Sequence, residues 1–374
     1  MSLKRWTYII GFGMVGIMGL SAIMPLLSQN VRTPVQQVEP TAAPTLPPPP
    51  ETESITFEQT YLHPSGLFTV AQPSGWTPSQ PITSANNVRA VFSNQSAQSI
   101  IQVDIDRPAI VDEASEAGLT LDDVDTHFSD ARLDSSWSQY EAADTNSRTR
   151  VDDHMVFDFA LTSNGQDYVA RQTAWTDGEW IYSVRVVMPE NAIDALRYLV
   201  DNVTESVKAN STYASLPLNW KAYFDQQDTH IIRYPADWTL ADSAPGRPTS
   251  IEGNDATLRV ETEADAAVSS EDDARNWVEQ LRAGANILSV EPVSRDGNEG
   301  YAVSYSYRTV DGDPQSGLAV LLNGQDNKLH VANLRFSAAD VDLNADELDE
   351  QYSDLASVMA TFDIMPDLAG VTTN

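Results

Sequence analysis

The side chains that could do chemistry here are few, and their spacing does not assemble a catalytic set. The five histidines, His63, His127, His154, His230 and His330, never pair as H-x-x-x-H or H-E-x-x-H, the spacings that set two imidazoles on one helix face around zinc. No serine stands in a G-x-S-x-G elbow, no G-x-x-x-x-G-K is present, and no G-x-G-x-x-G follows a predicted strand. The chain has no cysteine. Thiolate metal sites, cysteine nucleophiles, disulfides and a lipoprotein attachment cysteine are therefore excluded. His154, His230 and His330 fall in or beside predicted strands and read as sheet residues.

Two acidic clusters remain. Asp122, Asp123, Asp125, His127 and Asp130 spread around a helix rather than converging. They read as a solvated helix whose N-terminal acids favour its dipole. In DVDLNADELDE, Asp340, Asp342, Asn344 and Asp346 take positions 1, 3, 5 and 7 of a calcium loop. Position 6 is Ala345 where glycine is needed, and position 12 is Gln351 where glutamate is needed. These four are the metal-ligand candidates of the chain. The simpler reading makes Asn344 the cap of a helix with Asp346 and Glu347 in its first turn. No cofactor is expected.

The elements that position these residues begin with location. Trp6 to Leu27 is uncharged over 22 residues, roughly 33 Å as a helix. Lys4 and Arg5 precede it, which predicts a transmembrane signal anchor with a cytoplasmic tip at 1–5 and the bulk extracytoplasmic. Secretion after signal cleavage is the alternative. Residues 28–54 carry Pro34, Pro40, Pro44 and Pro47 to Pro50 and read as an extended linker. The formal charge is −32, from 54 acids and 22 bases. That surface repels phosphate backbones, so nucleic acid is not an expected partner; divalent cations or a basic protein face suit it better, and the plainer reading is that an acidic surface keeps an exported protein soluble and monodisperse.

The chain then repeats itself. YLHPSGLFTVAQPSGW (61–76) is answered 162 positions later by YFDQQDTHIIRYPADW (223–238), matching Tyr61 to Tyr223, Pro73 to Pro235 and Trp76 to Trp238. Predicted hairpin strands at 88–93 and 100–106 are matched by 249–253 and 257–263. Helices at 121–133 and 270–284 follow. Three-strand meanders come next, at 154–161, 167–175 and 179–187, then at 300–308, 317–323 and 328–336. Closing helices are expected at 191–207 and 345–361. The offset falls to about 148 by the last strand, as loop deletion allows. The expectation is an α+β class: two tandem domains, 55–214 and 219–366, each an antiparallel sheet with helices on its faces, and a tail at 367–374.

The opener, with its Pro-x-x-Trp step, and the order hairpin, helix, meander, helix resemble the PsbP-like family. The second copy departs from it, with QQDTHI where the first has HPSGLF. The resemblance implies a non-enzymatic protein that assembles with, or binds, a protein partner at the outer membrane face. Trp137, Trp175 and Trp180 are the candidate exposed anchors for that partner. A divalent-cation-binding envelope protein and a surface hydrolase without a recognisable motif are the alternative readings.

Overall fold

The computed structural model describes residues 46–108, 118–241, 243–368 and 370–371. Trp6–Leu27 and the linker up to residue 45 lie outside the described residues. Among the described residues no helix is long and apolar enough to cross a membrane.

The first half runs β1 (Gln59–Leu62), β2 (Phe68–Gln72), β3 (Thr77–Pro78), β4 (Ile82–Thr83), β5 (Asn87–Asn94), β6 (Ser99–Asp106), α1 (Leu121–His127), α2 (Asp130–Ser136), β7 (Ala142–Val151), β8 (His154–Ser163), β9 (Gln166–Thr176), β10 (Ile181–Pro189), α3 (Ile193–Ser206) and β11 (Lys208–Ala209). The second half runs β12 (Lys221–Phe224), β13 (His230–Tyr234), β14 (Thr239–Leu240), β15 (Thr249–Glu252), β16 (Ala256–Ala264), α4 (Glu271–Leu281), β17 (Asn286–Arg295), β18 (Asn298–Arg308), β19 (Pro314–Asn323), β20 (Lys328–Phe336), α5 (Glu350–Ala360) and β21 (Asp363–Ile364).

The architecture is α+β, with two large antiparallel sheets and helices packed on them. The strand order β3-β5-β6-β10-β9-β8-β7 of the first sheet recurs as β14-β15-β16-β20-β19-β18-β17 in the second. Each half adds a small sheet, β1-β2-β11 and β12-β13-β21. Registers agree as well: Tyr61 faces Val70, and Tyr223 faces Ile232. In both halves the tryptophan N–H closes a turn on the proline carbonyl, at 3.1 Å from Trp76 to Pro73 and from Trp238 to Pro235. Ser206 at the end of α3 accepts the Ala71 N–H at 3.0 Å. Thr361 after α5 accepts the Arg233 N–H at 2.8 Å.

Period-two alternation gives each large sheet two apolar faces. In the first half one face joins Phe92, Ile101, Val103 and Val184 to Leu196, Leu199 and Val203 of α3. The opposite face joins Phe157, Phe159 and Leu161 to Val124 of α1, Leu133 of α2 and Phe128 between the two helices. The second half divides likewise, with α5 on one face and α4 on the other.

Four expectations are corrected. Each meander has four strands, because β7 and β17 were not anticipated. The helix expected at 121–133 breaks into two, with Phe128 and Ser129 between them. The closing helix of the second half starts at Glu350 after an irregular segment from Ser337, so Asn344 caps no helix and Asp349 takes that position. Strict register also pairs HPSGLF (63–68) with DQQDTH (225–230) rather than QQDTHI.

Candidate functional site

Two polar assemblies are built at the small sheets, and neither is visible as a motif. The first closes the second half. His230 opens β13 and His330 lies on β20, and their rings meet edge to face at 5.8 Å. Both are buried, at 2% and 1% exposure. Burial pushes the His230 pKa down to about 4 against the opposing pull of Asp225. Burial also lowers His330. Both imidazoles are therefore neutral near pH 7.

The loop between β12 and β13 supplies two buried carboxylates. Asp225 accepts the N–H of Gln227 at 2.8 Å, of Asp228 at 3.0 Å and of Gly246 at 2.8 Å, with the Tyr223 hydroxyl at 3.1 Å. Those backbone donors hold its pKa low despite burial. Asp228 pairs with Lys328 at 2.8 Å, and Lys328 also reaches Asp326 at 3.0 Å. Asp326 lies 3.4 Å from Nε2 of His330. A cavity of about 230 Å³ beside this cluster is lined by Tyr223, Phe224, Asp225, Gln226 and Ser243 to Pro245. Chemically the cluster is a brace. Its acceptors are taken by backbone donors and one lysine, and it ties the 225–229 loop to Gly246 and to the β19–β20 turn.

The second assembly joins the halves. Arg233 sits on β13 with no exposure. Its Nε donates to the Ser65 carbonyl at 2.7 Å and its Nη2 to the Pro217 carbonyl at 2.8 Å. The guanidinium lies over the rings of Tyr213, at 5.2 Å, and Trp220, at 5.9 Å. Burial lowers its pKa to about 10, which still leaves it charged at neutral pH. Around it the Ala222 N–H donates to the Pro64 carbonyl at 2.8 Å. The Tyr213 hydroxyl donates to the Thr361 carbonyl at 3.2 Å. Gly66 is left-handed at φ +72, and a Cβ there would stand 2.7 Å from Cβ of Ala222. Glycine is thus required twice, for its φ and for close approach. Leu62 of the first half packs with Ile231 and Val371 of the second.

The residues singled out from sequence fall elsewhere. Trp137 and Trp180 are not exposed anchors but core, at 3% and 0% exposure. Trp137 packs on Phe159 at 4.8 Å beneath the Arg185 guanidinium at 4.4 Å. Trp175 is half-buried and stacks on Tyr182 at 5.2 Å. Asp340 accepts the Ser306 hydroxyl at 2.5 Å, and Asp342 the Ser289 hydroxyl at 2.7 Å. Asn344 donates to Ser289 and to the Ala302 carbonyl, and Asp346 is exposed. The segment braces β17 and β18 instead of forming a calcium loop. Among the described residues no group of three or more His, Asp or Glu could hold a metal ion. The acids of α1 and α2 are clamped: Asp125 and Asp130 by Arg148, at 2.7 and 2.9 Å, and Asp122 by Arg150 at 3.1 Å. His127 turns inward to Asp106 at 3.4 Å.

No family model matches the chain, and no curated protein matches it. Among solved structures it is similar to cyanobacterial PsbP (CyanoP) from Synechocystis sp. PCC 6803. That likeness has 20% identity and a TM-score of 0.31, and covers 39% of this chain and 92% of that one. It is also similar to the type VI secretion immunity protein TplEi from Pseudomonas aeruginosa, at 12% identity and a TM-score of 0.24, covering 84% of this chain and 98% of that one.

The sequence contained faint signals for what was missed. An arginine inside the apolar run IIRY is out of place in a buried strand unless something receives it. The histidines lie a hundred positions apart, and only the sheet brings them together.

Proposed function

We propose that the chain is a non-catalytic, extracytoplasmic binding or assembly protein, held at a membrane by Trp6–Leu27 and built from two tandem domains of the PsbP-like kind. Both domains face one protein partner as a single body. The observation that supports this reading is the Arg233 seam. A buried charge held by carbonyls and rings across a junction fixes orientation, which is what a docking platform needs and a flexible tether does not. The charge of −32 favours a partner with a basic face.

The test is in-cell crosslinking of the full-length protein followed by mass spectrometry. Crosslinks from both halves to one membrane complex are expected. Self-links alone, with the N-terminal segment intact, would overturn the proposal.

A further inference from the structure

The corner between the Pro-x-x-Trp turn and the closing helix is built twice but covered by its own leading segment once. In the first half, the segment Thr52–Phe57 lies on it. Ile55 is buried with Trp76, Leu196 and Val200. Thr56 exchanges two hydrogen bonds with Ser74, at 2.8 and 3.0 Å. Phe57 packs against Tyr198 of α3 at 6.0 Å.

In the second half Leu216 and Trp220, leading into β12, pack into that half's core, but neither lines this corner. Leu218 joins the core of the first half, and Arg107 holds the carbonyls of Ala214 and Leu216. The result is a groove of about 500 Å³, floored by Trp238, Phe336, Tyr352 and Leu355 and rimmed by Asn254 and Gln351. The paired helix ends, Val203–Ser206 and Val358–Thr361, set the equivalence of α3 and α5. By it, Leu196 matches Gln351 and Val200 matches Leu355. The first pair member is buried in each case, while Gln351 is exposed and Leu355 half-buried.

We infer that this groove receives an extended segment of a partner protein, apolar at its centre and flanked by hydroxyl residues, of the chemistry that Thr52–Phe57 supplies to the first half. The inference rests on the protein-partner reading and names where that partner's chain lies. A β-branched residue fills the place of Ile55, and its backbone pairs with the exposed turn at Ala236.

The probe is a fluorescein-labelled peptide of residues 52–57 carrying Glu53→Lys, since Asp237 and Asp255 flank the corner. It is titrated against the full chain by fluorescence anisotropy. Saturable binding is expected, with Kd on the order of 100 μM. Binding should weaken roughly tenfold or more with Ile55→Asp in the peptide or Gln351→Trp in the protein. Asn254→Trp, on the opposite rim, repeats the test if Gln351→Trp folds poorly. No saturation, or saturation that neither rim variant changes, would overturn the inference. In-cell crosslinks to a partner that avoid 336–355 would remove the groove and leave the assembly reading standing. A saturable, rim-sensitive peptide with no partner crosslinks would do the reverse.

Discussion

The same place in the fold is closed by opposite chemistry in the two halves. At the start of the central small-sheet strand the first half has Phe68, facing Ala209, and the second has His230, facing Ile364. On the large sheet Tyr182 faces Ile105 and Trp175, whereas His330 faces Thr262 and Leu322. Trp180, wholly buried, stands where the second half has Lys328. An aromatic closure needs no counter-charge. The polar closure needs backbone donors on Asp225 and Lys328 between Asp228 and Asp326, with two imidazoles that must stay neutral. The comparison shows that one backbone accepts either solution; both bury a histidine, His63 stacked on Phe68 in the first half and the His230–His330 pair in the second, and only the second surrounds it with carboxylates and a lysine.

The largest effect should come from Arg233, the buried charge at the junction of the halves. Arg233→Ala leaves the Ser65 and Pro217 carbonyls unpaired and opens a cavity between Tyr213 and Trp220. A loss of about 3 kcal/mol is expected in urea unfolding. Ala71, the corresponding residue of the first half, is the control: Ala71→Ser should change little.

Acid is the next lever. The His230 pKa is about 4 in the folded chain against 6.5 unfolded. Its folded pKa is depressed, so the folded state binds fewer protons. The stability is therefore complete above pH 6.5 and is lost as pH falls toward 4, by about 2–3 kcal/mol. The facing groups are Tyr223, Asp225 and Asp228 from β12 and its loop, and Asp326, Lys328 and His330 from the β19–β20 hairpin. His63 in the first half is also pushed to about 4, chiefly by burial, so acid weakens both halves. Asp363 acts in the opposite sense. Burial raises it to about 6, and its penalty is relieved as pH falls through that value. His230→Phe, which copies Phe68, should remove the second half's share of the acid loss in a pH series of urea melts, while His63 keeps its own.

Lys328→Ala strips the partner from buried Asp228 and should cost about 1–2 kcal/mol by thermal melting. The smallest effect belongs to the surface. Arg148 clamps Asp125 and Asp130 and lies over Phe157 at 5.3 Å. Arg148→Ala should cost about 1 kcal/mol, and less at high salt.

Much of the fold was legible because the opener, the hairpin turns and the apolar alternation are local signals. β7 and β17 were not, since an edge strand such as AADTNSRTRV is polar on both sides and carries no period. The arginines that clamp the α1 acids sit on that strand, so the acidic cluster read as solvated. Trp137 and Trp180 could not be placed from type alone, because tryptophan serves cores and interfaces equally well. The His230–His330 contact depends on strand neighbours far apart in the chain, which no spacing rule records.

The central claim is that the Arg233 seam makes the two halves one body. Differential scanning calorimetry of the full chain tests it most directly. One cooperative transition is predicted, with the calorimetric enthalpy equal to the van't Hoff enthalpy, separating into two in Arg233→Ala. Two transitions in the unaltered chain, unchanged by Arg233→Ala, would contradict it.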